Sequence, residues 1–330
     1  MGEKRKMIKR TEQEIMQNWK GDINTPIVSV CTTTYNHELF IAEAIESFLM
    51  QETNFPFELV IDEDCSTDST ANVILKYAKE YPNIIKANIR QKNVGAKINW
   101  IEGLRRAKGK HIALCEGDDY WTDPLKLQKQ VGFLTGNQSY FACFHDCIQV
   151  YDEGKDNAIQ QLKIGNRKIE TEVDLLSIIE ENNIATASIL YRNTIKDIPN
   201  FFTQSSKGDY SLMVIIASLG KIKYLPEVMS AYRVHAGGIW SSKSQMYKEK
   251  ENIKFYTLLQ EHFAEDKDTL KAIVRKKKYV YYSISRKLVL SKQRLKSFCY
   301  MLRSINLAHT SHPKINYFIY FKEFVKSVIK

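Results

Sequence analysis

The sequence predicts an α/β chain: a mostly parallel, doubly wound sheet flanked by helices, with a helical appendage at its C-terminal end. Three observations carry that reading. Short apolar runs rich in β-branched residues alternate with segments of helical periodicity from residue 27 to about 134, and strands alternating with helices at this pitch pair in parallel. The run His111-Ile-Ala-Leu-Cys115 is almost wholly apolar, as a strand covered on both faces must be. Beyond residue 240 the strand pattern stops, and apolar residues recur at helical spacing among lysines and arginines.

Each element follows from local pattern. Ile27–Thr33 is a β-type run, and Glu38–Met50 places Phe40, Ile41, Ala44, Ile45, Phe48 and Leu49 on one helical face. Phe57–Ile61 completes a βαβ unit. Thr67 or Asp68 can cap a helix running to about Tyr81. Ile84–Arg90 reads as a strand, Gly95–Ala107 as a helix and His111–Cys115 as a central strand. After Pro124 a helix runs to about Leu134, and strand candidates follow at Tyr140–Tyr151 and Ala187–Tyr191, with a helix over Asp209–Leu219. The organisation expected is a charged leader (1–24), an α/β domain (25–240, in halves 25–125 and 126–240) and a basic helical region (241–330).

Composition sets limits. A chain of 330 residues with 44% apolar content is neither disordered nor too short for a sizeable core. The six cysteines form no CxxC pair and several fall in buried-type strands, which points to a reducing, cytosolic compartment and to no structural zinc. No apolar signal segment and no run of about 18 apolar residues occurs. Residues 241–330 hold 20 Lys+Arg against 7 Asp+Glu, a net +13, whereas residues 1–240 hold 28 against 31, a net −3. The basic character belongs to the C-terminal region.

In open α/β sheets ligands bind beyond the carboxyl ends of the strands. The residues at those ends are Thr33-Thr-Tyr35-Asn36, Asp62-Glu-Asp64, Asn93 and Glu116-Gly-Asp118-Asp119. Carboxylates gathered on one rim repel unless a cation lies among them, most simply Mg²⁺ or Mn²⁺, which also takes substrate phosphate oxygens as ligands. A diphosphate substrate follows from that. Neither a P-loop nor a Gly-x-Gly-x-x-Gly follows the first strand. Asp118-Asp119 also reads as a plain turn before Trp121, and Asp64–Asp68 also reads as a helix cap, which leaves Glu63 and Asp64 unexplained.

Taken together, Pro26–Asn36, Glu63-Asp-Cys-Ser-Thr-Asp68, Asn93-Val-Gly95 and Glu116-Gly-Asp-Asp-Tyr-Trp121 resemble the inverting family 2 glycosyltransferases of bacteria over roughly residues 25–240. The resemblance implies the GT-A fold, a Rossmann-like sheet, and transfer of a sugar from a nucleoside-diphosphate sugar, a UDP-sugar by preference, to a hydroxyl acceptor in cell-envelope glycan synthesis. It implies that 25–240 is the catalytic domain, with 25–125 its nucleotide-sugar half and 126–240 its acceptor half, and that Thr33, Tyr35, Asp64, Asn93 and Asp118 bind the nucleotide sugar, Asp64 through the base. Asp119 and His235 would hold Mn²⁺ or Mg²⁺, and Asp209, in Lys207-Gly-Asp209-Tyr-Ser, would be the catalytic base. The alternative reading of Asp209 is an ordinary helix N-cap. Glu63 stands where the family often has Asp, and the metal motif reads Gly-Asp-Asp. An inactive sugar-nucleotide-binding protein and a nucleotidyltransferase are the alternatives, the latter lacking its Gly-rich basic loop after the first strand. Without a Gln-x-x-Arg-Trp motif, single addition is expected rather than polymer extrusion.

The partners expected are the nucleotide-sugar donor and a saccharide or lipid-linked saccharide acceptor. Without a recognised module, the basic region is not expected to bind nucleic acid. It reads either as helices packed on the catalytic domain or, through Arg275–Lys278 and Ile315–Ile329, as a peripheral contact with the anionic inner face of the cytoplasmic membrane. The compartment expected is the cytoplasm.

Overall fold

The computed structural model describes residues 9–151, 158–160, 171–235, 243–307 and 315–329. In chain order its elements are α1 (Glu12–Met16), β1 (Val28–Thr34), α2 (Ile41–Leu49), β2 (Phe57–Glu63), α3 (Thr70–Glu80), β3 (Ile85–Ile89), α4 (Ala96–Arg106), β4 (His111–Leu114), β5 (Tyr120–Trp121) and α5 (Lys126–Gly136). There follow β6 (Tyr140–Tyr151), β7 (Ala158–Gln160), β8 (Glu172–Val173), α6 (Leu175–Glu180), β9 (Leu190–Arg192), α7 (Asn200–Gln204), α8 (Gly208–Leu219) and β10 (Lys221–Val234). The remaining helices are α9 (Gln245–His262), α10 (Lys267–Leu290), α11 (Arg294–Asn306) and α12 (Tyr317–Ile329).

The described residues group into two compact units, one drawn from Met1–Asp174, Asn183–Lys196 and Ile216–Gly238, the other from Leu175–Asn182, Asp197–Ile215 and Ile239–Lys330. Two segments that the sequence reading assigns to the acceptor half thus group with the C-terminal helices.

The first unit holds the sheet, ordered β3-β2-β1-β4-β9-β6-β10-β5, with β7 beside β6 and β8 beside β10. The β1–β2, β2–β3, β1–β4 and β6–β10 pairs are parallel, while β9 runs antiparallel between β4 and β6. The parallel half is the alternating pattern read from sequence. Val28, Val30, Leu59, Ile61 and Ala113 are buried with the apolar face of α2, Ile41, Ala44, Ile45 and Phe48, because a strand covered by helices on both faces has no polar side to offer.

Four features depart from the sequence reading. The leader is partly structured: Thr11 and Glu14 cap α1 reciprocally, Ile15 joins the core, and Trp19 meets Phe57 edge to face at 5.1 Å. The residue at the N-cap of α3 is Ser69, with no side-chain cap bond, while Asp68 accepts the Thr70 N–H at 2.9 Å. The strand expected at Ala187–Tyr191 is a 3₁₀ turn, Thr186–Ser188, followed by β9. The strand expected to end at His235 reaches back to Lys221 as β10: its lysines and Pro226 mask the alternation, and its register slips between Leu225 and Val228, where a proline cannot donate to the ladder.

Candidate active site

The carboxyl ends of β1, β2 and β4 meet in register. Thr34 pairs with Glu63 and Cys31 with Leu114, and the chain leaving β4 is held by the Gly117 N–H to the Thr33 carbonyl at 3.0 Å. A Cβ on Gly117 would stand 2.8 Å from the Thr34 side chain. Only glycine lets the two strand ends approach that closely. Thr33 also lines a narrow recess with Trp100, Glu116 and Thr186, and Tyr35 stands exposed beyond the end of β1.

Loops after β1 and β2 are laced together. Asn36, at φ 55°, accepts the Thr67 N–H at 2.8 Å and gives its own N–H to Ser66 at 2.8 Å. Thr70 accepts the His37 N–H at 2.8 Å. These bonds carry His37 onto the rim. Glu63, buried, accepts the N–H groups of Cys65 (3.1 Å) and Ser66 (2.6 Å). Cys65 is at φ 60°, a left-handed conformation that disfavours a side chain.

Asp64 is buried, and its two oxygens accept the N–H groups of Val94 (2.8 Å) and Gly95 (2.9 Å). Asn93 donates to the Asp64 carbonyl at 2.9 Å. The structure therefore brings Asp64 and Asn93 together as one turn-forming unit.

The two carboxylates after β4 have different surroundings. Asp118 Oδ2 lies 3.0 Å from His235 Nε2 and 3.7 Å from His37 Nε2. Burial alone would raise its carboxyl, but the His235 hydrogen bond and the His37 charge outweigh it, leaving Asp118 below its ordinary range. Asp119 is buried and accepts the Arg233 N–H at 2.9 Å. Burial, with the charges of Asp118 and Glu116 beside it, holds its carboxyl well above the ordinary range. Of the two, Asp118 is the carboxylate with imidazole nitrogen beside it.

Arg233 fastens this corner. Nearly buried, it donates to the Asp118 carbonyl at 2.6 Å, pairs with Glu43, and lies 4.5 Å from the Tyr120 ring centre and 5.2 Å from that of Phe40. The Phe40 ring also packs against His235 at 4.7 Å. His37, Arg233 and Glu43 are site residues that the sequence reading did not single out. His37 adjoins the Thr33–Asn36 motif and Arg233 stands two residues before His235, so adjacency to a motif was the available signal. The Gly-Gly loop after His235 lies outside the described residues.

Among the described residues, no group of three or more His, Cys, Asp and Glu side chains is placed to hold a metal by itself. The donors present, one carboxylate and imidazole nitrogen beside it, fit a divalent ion that completes its shell with water and diphosphate oxygens. The Nδ1 of His37 is buried with no hydrogen-bond partner among the described residues. Asp209 is exposed in the first turn of α8 and belongs to the second unit.

The chain belongs to glycosyltransferase family 2: the family model "Glycosyl transferase family 2" matches residues 29–197. An uncharacterized protein of Mycobacterium tuberculosis is 41% identical over 218 residues, covering 65% of this chain and 61% of the relative. This chain thus spans less than two thirds of that relative's length. The Escherichia coli UDP-Glc:alpha-D-GlcNAc-diphosphoundecaprenol beta-1,3-glucosyltransferase WfaP is 31% identical over 229 residues, 69% of this chain and 85% of that one. The fold is GT-A: Staphylococcus aureus TarS 1–349 in complex with UDP-GlcNAc aligns with TM-score 0.54 at 20% identity, over 83% of this chain and 88% of that one. The mannosyltransferase PcManGT from Pyrobaculum calidifontis, in complex with GDP-Man and Mn²⁺, aligns with TM-score 0.54 at 15% identity, over 94% and 89%.

Proposed function

We propose that this chain transfers a sugar, with inversion, from a nucleoside-diphosphate sugar to a hydroxyl of a saccharide acceptor in cell-envelope glycan synthesis. The observation that carries the reading is the Asp118 carboxylate beside the Nε2 atoms of His235 and His37, on the rim where β1, β2 and β4 end. The likeness to WfaP, whose name gives a UDP-glucose donor and a diphosphoundecaprenol-linked acceptor, supports a UDP-sugar and a lipid-linked acceptor.

Asp118 and His235 would hold Mn²⁺ or Mg²⁺, which when bound neutralises charge on the departing diphosphate. This division departs from the sequence reading, which gives the metal to Asp119. Asp119 instead positions the end of β10 by accepting the Arg233 N–H. Thr33 and Tyr35 flank the donor. Asp64 keeps its 93–95 turn in place and, each carboxylate oxygen having two lone pairs, can still accept from the base. Asp209 takes the proton from the acceptor hydroxyl as that oxygen bonds to the anomeric carbon, and the bond from that carbon to the diphosphate oxygen breaks on the opposite face.

A thermal-shift screen of nucleotide sugars with and without Mn²⁺ tests the donor. Asp118→Asn is expected to weaken metal-dependent donor binding by about 10- to 100-fold, and Asp119→Asn, which keeps an acceptor for the Arg233 N–H, to leave most of it. Asp209→Asn should keep donor binding and lose transfer. Equal donor binding by Asp118→Asn and the parent would reject the metal assignment.

A further inference from the structure

Helices α11 and α12 of the second unit are built inside out. The buried residues of α11 are Ser297, Met301 and Ser304, while Leu295 (79% exposed), Phe298, Leu302 and Ile305 face solvent. At 3.6 residues per turn those four side chains fall within an arc of about 80°. They form a stripe, and α12 repeats the arrangement: Tyr320 is buried, while Phe318 (77% exposed), Phe321 and Val325 are exposed within a similar arc.

The orientation is fixed by polar contacts rather than left to chance. Ser297 Oγ donates to the Ser285 carbonyl at 2.8 Å and lies 3.0 Å from Tyr320 Oη. Ser304 Oγ donates to the Lys278 carbonyl at 3.1 Å and lies 3.2 Å from Tyr317 Oη. Small hydroxyl side chains let α11 approach α10 closely, and rotating the leucines inward would break all four contacts. Phe298 and Phe324, ring centres 6.1 Å apart, place the two stripes side by side.

Charge says what the face meets. Lys296 and Arg303 are exposed along one flank of the α11 stripe, and Lys322 and Lys326 along one flank of the α12 stripe. The single acid on these two helices, Glu323, is paired with Arg286. Apolar side chains bordered by unopposed lysines match an anionic lipid surface, where the stripe enters the acyl boundary and the ammonium groups stay among headgroups. Among the described residues no helix is long and apolar enough to cross a membrane, so the contact is interfacial.

We infer that the α11–α12 face docks on an anionic lipid bilayer. The inference stands independently of the donor and acceptor assigned above. It is tested by co-sedimentation of the full chain with phosphatidylglycerol/phosphatidylethanolamine vesicles and with phosphatidylcholine vesicles. The parent should partition at least about tenfold more strongly onto the anionic vesicles. Leu295→Glu/Leu302→Glu should lose at least about tenfold, and Lys322→Glu/Lys326→Glu should lose the preference for anionic lipid. All substituted positions are exposed, so unchanged circular dichroism and melting are expected to accompany those losses. Partition indifferent to both double substitutions overturns the inference. So does absence of partition with a self-association in analytical ultracentrifugation that Leu295→Glu/Leu302→Glu abolishes, which would assign the face to a second copy of the chain.

Discussion

The sheet-bearing unit and the C-terminal hairpin solve burial in opposite ways. The first unit draws charge inside: Asp62 is fully buried against Arg106 at 2.6 Å, and Lys126 is fully buried with its Nζ 4.1 Å from the Trp121 ring centre and 2.7 Å from Gln130 Oε1. The hairpin draws serine hydroxyls inside and turns leucine and phenylalanine out. Charge is tolerated in a core when partners neutralise or hydrogen-bond it, whereas an outward apolar stripe is stable in isolation but leaves surface for something else to cover. Buried polarity thus stays inside the core of one unit and orients a surface in the other.

The largest test of that contrast is Lys126→Met. Burial drives the Lys126 ammonium down to about 7 from an ordinary 10.5, so between those values the unfolded chain binds a proton that the folded chain does not. Stability contributed at this position is lowest at and below pH 7 and is recovered as pH rises to about 10.5. After allowing for the lost ring and Gln130 contacts, Lys126→Met is expected to be more stable than the parent by on the order of 3 kcal/mol at pH 7. Urea denaturation at pH 7 and pH 10 should show the advantage shrinking. A constant difference would mean that Lys126 is charged in place.

The hairpin comes next. Ser304→Leu puts bulk into the α10–α11 contact and removes a hydroxyl from it, which is expected to cost about 1–3 kcal/mol, while Leu302→Ser on the outer stripe should stay within about 0.5 kcal/mol. Equal effects in thermal denaturation would show that the helix is free to rotate.

The smallest effect is expected at Cys65. Replacing a side chain at φ 60° with glycine removes a left-handed strain of about 1 kcal/mol, so Cys65→Gly should raise stability by up to that amount without altering the Glu63 bonds. A lowered melting temperature would show that the Cys65 side chain contributes more than its backbone costs.

Much of the first unit was legible because its signals are local. The runs Val28–Thr34, Phe57–Glu63 and His111–Leu114 are strands within two residues of expectation, since an apolar run between turn residues has few other uses. Tyr140–Tyr151 matches its expected bounds. In the C-terminal region, Ile273, Val280, Ile284, Leu288, Leu295, Phe298, Leu302 and Ile305 recur at helical spacing. Yet the first four are buried and the last four exposed. Periodicity specifies that a helix has an apolar face, and nothing in it says whether that face has a partner.

The same division runs through the site. Sequence alone determined that Thr33, Asp64, Asn93, Asp118 and Asp119 stand where strands end, because strand and turn chemistry is written in neighbouring residues. Which aspartate meets an imidazole was decided only when β10, paired parallel to β6 and antiparallel to β5, carried His235 back across 117 positions to Asp118. A contact of that separation depends on strand register and on the burial of Asp119, and both are properties of the assembled sheet.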